Sequence, residues 1–483
     1  MHFRDRELSL TTFILYLLCT VILSLSIFAL SKYPGQNYVY IIFTVISNAL
    51  LYFGFRNKAI FIDTFIGIFF WLGFWLKLSV RVAFTAGLFH EAVGNFDGSG
   101  AAFDHALLVT SCGLFGLLVA SVIREKLIFN YPSKIEGVAQ KGLLIFYRSH
   151  RKLVLFGFLV IILAVSVSNI YLGIYQKGAI PRTTLPYGLA GVYKWLLLFG
   201  LASFSALILK FEFEISKKAS YLVVILGLLE GFFSNVSLLS RGMILNTSAL
   251  IFGLLRNMKY QLIKVSYKYV VTLFIIFAIL FGTSVLSVNI MRSSSFMRSF
   301  MRSEVGPGLR DGFHEAKNMS LPLLLDRWVG IEGVMAVSSY PKRGWDLWRE
   351  AWKEVYSDNS TSYYDVNLIT SPYADLDTTK NHYITLPGIL AFCYYPDSFI
   401  FLFGCMFLLG TIAAIIEVSV FKFGGGNVIL CSLLAQVVAY RYAHFGYVPA
   451  QSYLLFGTLY LNLFIIYFAD KFLLYWSKHK TTL

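Results

Sequence analysis

At 483 residues, with 57% hydrophobic, 17% aromatic and only 14% charged side chains, the chain is too apolar for a soluble multidomain protein. It reads as an all-α, polytopic membrane protein. The net charge of +15 does not point to nucleic acid, because a basic excess in the connectors between apolar spans is the ordinary orienting signal of such proteins. Cys19, Cys112, Cys393, Cys405 and Cys431 fall in or beside apolar runs, without the paired spacing of a disulfide framework or a zinc site.

Arg4 and Arg6 precede the first apolar run, 9–30, which is too long for a signal-peptide core of roughly 7 to 15 residues and is expected to stay as an anchor. Apolar runs near the length needed to cross a bilayer follow at 38–55, 59–86, 105–123, 153–175, 188–209, 220–239, 242–256, 268–289, 396–419, 426–444 and 451–470. That predicts about twelve transmembrane helices in a single integral-membrane domain, 1–483. The pair 220–239 and 242–256, parted only by Ser240-Arg241, and the approach to 396–419, broken by Pro387 and Pro396, are either spans or re-entrant segments.

With the N-terminus inside, Lys and Arg concentrate in the connectors assigned to the cytoplasm and are sparse in the short outer loops, so both termini are expected to be cytoplasmic. The basic loop 124–152 carries seven of the inner charges, and its Lys141–Arg148 piece is expected along the inner interface. The long polar stretch 290–384 is then a large extracytoplasmic loop. Its 11 basic residues face 12 acidic ones, which suits a folded element rather than a polybasic lipid anchor. Within it, Trp345, Trp348 and Trp352 recur at helical spacing: either an interfacial helix held by its aromatic face, or a sugar-stacking wall at the mouth of a site.

Basic side chains at membrane depth need a partner or a wet cavity. In the orientation above, Lys77, Arg81, Lys194 and Arg441 all lie in the outer halves of their spans, and outer connectors add Arg182, Arg241 and Arg327. Glu230, at a depth comparable to Lys77, offers it a neutralising partner. A convergence of guanidinium groups suits a phosphate or pyrophosphate, whose oxygens their planar forks bind bidentately. An outer-leaflet pyrophosphate on an apolar tail means a polyprenyl-linked sugar. There is no Walker A, His-Glu-x-x-His or Gly-x-Ser-x-Gly motif, and no metal set emerges around Asp97 and Asp104, so the expected chemistry uses no cofactor and no metal.

Four stretches carry a resemblance. They are the turn Pro181-Arg-x-x-Leu-Pro-x-Gly, the turn Ser240-Arg-Gly, the segment Asp326-Arg-Trp-Val-Gly-Ile-Glu-Gly running into Met335-Ala-Val, and Leu386-Pro-Gly-Ile after the big loop. In order and character the chain resembles the bacterial O-antigen polymerase (Wzy) family, related to the O-antigen ligases and to membrane glycosyltransferases of the GT-C class. The resemblance implies transfer of a glycan from undecaprenyl pyrophosphate to the non-reducing end of another lipid-linked repeat unit, on the periplasmic side of the bacterial inner membrane. It also implies a chain-length regulator (polysaccharide co-polymerase) as partner. Arg182, Arg241, Arg441, Arg81 and Lys77 are the expected pyrophosphate ligands, and Arg327, Glu332 and His444 the expected catalytic groups, with Glu332 first and His444 second as base; His314 and His382 compete. An O-antigen ligase acting on lipid A core, or a flippase for lipid-linked oligosaccharides, would share the same charges.

Overall fold

The structure is a computed structural model describing residues 2–480 except 90, 134, 136–139, 218–220, 241, 243, 264–265, 301–324, 357–360 and 371–383; residues 2–15, 289, 292–300 and 480 are described by backbone alone. Among the described residues the fold is helical throughout. The long helices are α1 (His2–Leu30), α2 (Asn37–Phe55), α3 (Phe61–Thr85), α4 (Gly100–Leu127), α5 (Lys141–Leu172), α6 (Leu189–Ser216), α7 (Tyr221–Ser237), α8 (Ile244–Tyr260) and α9 (Tyr267–Phe300). The short α10 (Ile331–Ser339), α11 (Trp345–Trp352) and α12 (Ile389–Cys393) follow, then α13 (Phe399–Phe423), α14 (Val428–Ala443) and α15 (Ser452–Lys480). Among the described residues eight helices, α2 to α6, α9, α13 and α15, are long and apolar enough to cross a membrane; the described part of α1, together with α7 and α14, is apolar but shorter.

Helix ends follow their sequence signals. Ser99 and Asn427 accept the first amides of α4 and α14 through their side chains, and Ser398 does the same for α13. At the start of α3 the task falls to a remote carboxylate: Glu417, buried in α13, accepts from Phe61 N at 2.9 Å and Ile62 N at 2.7 Å. Asp63 pairs with the buried Arg124 beside it. α3 is thereby pinned at one end and packs centrally, against α2 and α14.

Two details depart from simple helices. α3 widens to a π-helical turn at Trp71–Leu76, and α6 does so at Leu196–Gly200. The segment Lys141–Arg148, expected along the inner interface, opens α5 ahead of a bend at His150 (φ −122°), and Asp470 of α15 accepts from Leu143 N at 3.0 Å.

The described part of the big loop is built into the bundle. α10 is buried from Ile331 to Ser338, with Ile331, Val334, Met335, Ala336 and Val337 fully buried against α4 and α12 and Glu332 as its one charged side chain. A helix covered on every side belongs to the interior of the bundle and not to a water-facing loop. The chain reaches it by crossing α3 at the π turn, where Gly73 and Gly330 meet backbone to backbone; a Cβ on either would collide with the other segment's main chain. A π turn at such a crossing is a frequent companion of functional sites.

Candidate functional site

Immediately after the π turn, the ammonium of Lys77 donates to the carbonyls of Asp326 (3.1 Å) and Trp328 (2.5 Å) and to Glu332 Oε1 (2.8 Å). One turn on, Arg81 is bonded to both carboxylate oxygens of Asp326 at 2.5 Å. These two residues, expected to bind pyrophosphate, are thus a staple holding segment 326–332 across α3. Burial pushes the Glu332 carboxyl up from the usual carboxylate range, opposed by the Lys77 ammonium. Glu332, expected as the base, is committed to Lys77 inside the protein. Glu230, the partner considered for Lys77, instead accepts from Ser234 Oγ at 2.7 Å.

The staple presents Arg327 outward to a second group. A Cβ on Gly242, in the α7–α8 turn, would stand 3.1 Å from Arg327 Nη2 and 3.2 Å from Tyr440 Oη, so these three segments touch. Tyr440 stacks on His444 with ring centroids 4.0 Å apart and meets Phe69 edge-on at 6.0 Å; Phe69 in turn stacks on Trp328. The ammonium of Lys177 lies 5.8 Å from the Tyr440 ring, and that of Lys194 is 5.0 Å from the ring of Tyr175. Lys194 is within electrostatic reach of Arg441 and Lys177. Asn169 fixes the loop carrying Lys177. Its buried amide accepts from Tyr175 N and donates to Tyr175 O, both at 2.9 Å, while also donating to Ser237 at the end of α7.

Four cations therefore gather at one end of the bundle: Lys177, Lys194, Arg327 and Arg441. Among the described residues Arg327, Lys194 and Arg441 have no carboxylate partner. Arg441 reaches the Ser452 hydroxyl, at 3.5 Å, and the ring of Phe445. His444, just beyond α14, has Nδ1 3.1 Å from the carbonyl of Tyr440. A carbonyl only accepts, so Nδ1 carries the proton and Nε2 keeps its lone pair.

Of the residues expected from sequence, Arg327, Arg441 and His444 come together here. Arg241, His314 and His382 lie outside the described residues, although Arg241's neighbour Gly242 touches Arg327. Arg182 is turned elsewhere: exposed, it donates to Ile170 O at 3.1 Å and caps the end of α5. Lys177 went unselected, since a single lysine in a turn carries no depth signal. Among the described residues no three His, Cys, Asp or Glu side chains are grouped as metal ligands. A cavity of about 590 Å³ between Lys32, Phe84 and Phe103 is lined by the Lys32 ammonium, which is bonded to Ala83 O at 2.8 Å.

Among the described residues the fold and this cluster define a helical membrane protein with positive charge gathered at one end of its bundle, where Lys194, Arg327 and Arg441 have no carboxylate partner. No family model, no curated protein and no solved structure matches the chain.

Proposed function

We propose that the chain is an O-antigen repeat-unit polymerase: a glycosyltransferase working without metal or cofactor at the periplasmic face of the bacterial inner membrane, with both termini cytoplasmic and about twelve spans. The observation that carries this reading is the gathering of Arg327, Lys194 and Arg441, which among the described residues have no carboxylate partner, beside the His444 imidazole. Membrane-depth cations kept without acidic partners are suited to an anionic ligand. Undecaprenyl pyrophosphate bearing the glycan supplies one, and the resemblance in the turns at 181–188 and 240–242 agrees with it.

In this mechanism Arg327, Arg441, Lys177 and Lys194 bind the pyrophosphate. The acceptor hydroxyl of the second lipid-linked repeat unit attacks the anomeric carbon. As the new C–O bond forms, the bond to pyrophosphate breaks and its electron pair stays on the leaving oxygen, where charge grows. Hydrogen bonds to charged groups contribute about 1.5–3 kcal/mol each, and groups aimed at the growing charge act chiefly in the transition state. The hydroxyl proton passes to His444 Nε2. With Nδ1–H engaged by the Tyr440 carbonyl, Nε2 is the ring atom left to take it.

The test is polymer laddering by purified protein in liposomes supplied with one synthetic undecaprenyl-pyrophosphate repeat unit and a chelator. Arg327→Ala and Arg441→Ala, each confirmed folded, are expected to slow laddering by about 10- to 100-fold, at tenfold per 1.36 kcal/mol. Transfer to added lipid A core, or movement of the substrate across the bilayer without laddering, would overturn the polymerase reading in favour of a ligase or a flippase.

A further inference from the structure

Beside the cluster lies an aromatic surface that the reaction above does not use. The ring of Phe445, next to His444, is 5.9 Å from the Arg441 guanidinium and 6.4 Å, edge-on, from the ring of Trp352 at the end of α11. Trp352 is 37% exposed and Tyr356 45%, and Tyr356 stands 6.1 Å from Tyr447. One side chain ties these segments together: Glu354 accepts from Tyr363 N at 2.5 Å and from Val448 N at 2.7 Å. The three indoles of α11 do not make one outward wall, because Trp348 is turned inward between Phe392 and Phe401. The partly exposed rings are Trp352 and Tyr356 at the cluster end and Trp345 at the other.

Resting on the polymerase reading, we propose that Trp352, Tyr356 and Tyr447 form a saccharide-stacking subsite, continuous with the cationic cluster, that takes sugar rings attached to the pyrophosphate. A pyranose offers an apolar C–H face and a rim of hydroxyls. Half-exposed rings with an apolar body and a polar edge match the face, and a few acceptors beside them match the rim. One acceptor stands on the helix that ends in Trp352: Glu350, exposed, which accepts from Tyr363 Oη at 2.9 Å. Exposed carboxylates on α11 favour a surface facing water and sugar over one sunk among lipid headgroups.

The experiment uses the full chain in nanodiscs and oligosaccharides released by mild acid from the lipid-linked pool of the producing cells, with binding read by saturation-transfer NMR. Wild type is expected to saturate the sugar signals, with Trp352→Ala and Tyr356→Ala at least about tenfold weaker. Trp352→Phe, which keeps a ring, is expected to retain part of the binding, and Tyr171→Ala, an exposed ring elsewhere, all of it. No saturation in wild type, or equal loss in Tyr171→Ala, overturns the subsite. So does quenching of Trp352 fluorescence by brominated phospholipid without a sugar signal, which would make the surface a lipid contact. In parallel, inorganic pyrophosphate is expected to protect Lys177 from acetylation. Protection without sugar saturation overturns the subsite alone, whereas no protection overturns the reading on which it rests.

Discussion

Lys77 and Glu332 are 255 residues apart in the chain and 2.8 Å apart in space. Removing one partner of a buried pair strands the other charge, at about 3–5 kcal/mol, whereas an apolar replacement of both is frequently tolerated. Lys77→Met and Glu332→Leu are each expected to be strongly destabilised in detergent unfolding, and the double variant to be more stable than either. Equal or additive losses would show that the two charges do not depend on each other. At this scale the sequence marked Arg327, Arg441, His444 and Glu332 by charge at apolar depth, but not who pairs with whom. Such partners are set by tertiary packing, and Glu332, the preferred base, proved to be the partner of Lys77.

The element that organises the site is the stretch from Asp326 through α10, laid across the π turn of α3. Its apolar run was legible, since Arg327 and Glu332 interrupt residues that otherwise bury themselves. The π turn was not, because one extra residue in a helical turn leaves the apolar character of Trp71–Leu76 unchanged. Gly330 is where the two backbones touch, and overpacking there is expected to cost about 1–3 kcal/mol or more. Gly330→Ala should lower stability and reduce laddering. Gly157→Ala, on α5 with open space around it, should leave both intact or gain up to about 1 kcal/mol from helix propensity. If both alanine variants behave alike, the crossing does not position the site. Arg182 shows the converse limit on reading an element. Its motif suggested a ligand, yet a helix ending at Gly173 leaves carbonyls that a nearby guanidinium satisfies.

For the whole molecule, helices stand at each of the stretches read as apolar spans, and eight of the described helices are long and apolar enough to cross a membrane, because hydrophobic length is a local property of sequence. Orientation is not local to any helix; it follows from the distribution of Lys and Arg among the connectors. The proposed orientation puts the cationic cluster and the α5–α6 connector outside and the α4–α5 connector inside. Two exposed positions separate these sides: Tyr187 in the first connector is 99% exposed, and Leu127 at the end of α4 is 79% exposed. In a background with the five native cysteines replaced, Tyr187→Cys is expected to react with a membrane-impermeant maleimide added to intact spheroplasts. Leu127→Cys should react only after the membrane is opened. The reverse pattern would put the cluster in the cytoplasm, where a glycan already carried to the outer leaflet cannot reach it, and the polymerase reading would fall with the orientation. Labelling of both positions from outside would mean an odd number of crossings between residues 187 and 127 is wrong, so α5 would lie on the surface instead of spanning, and the outer placement of Lys177 and Arg441 would then have to be measured residue by residue with the same reagent.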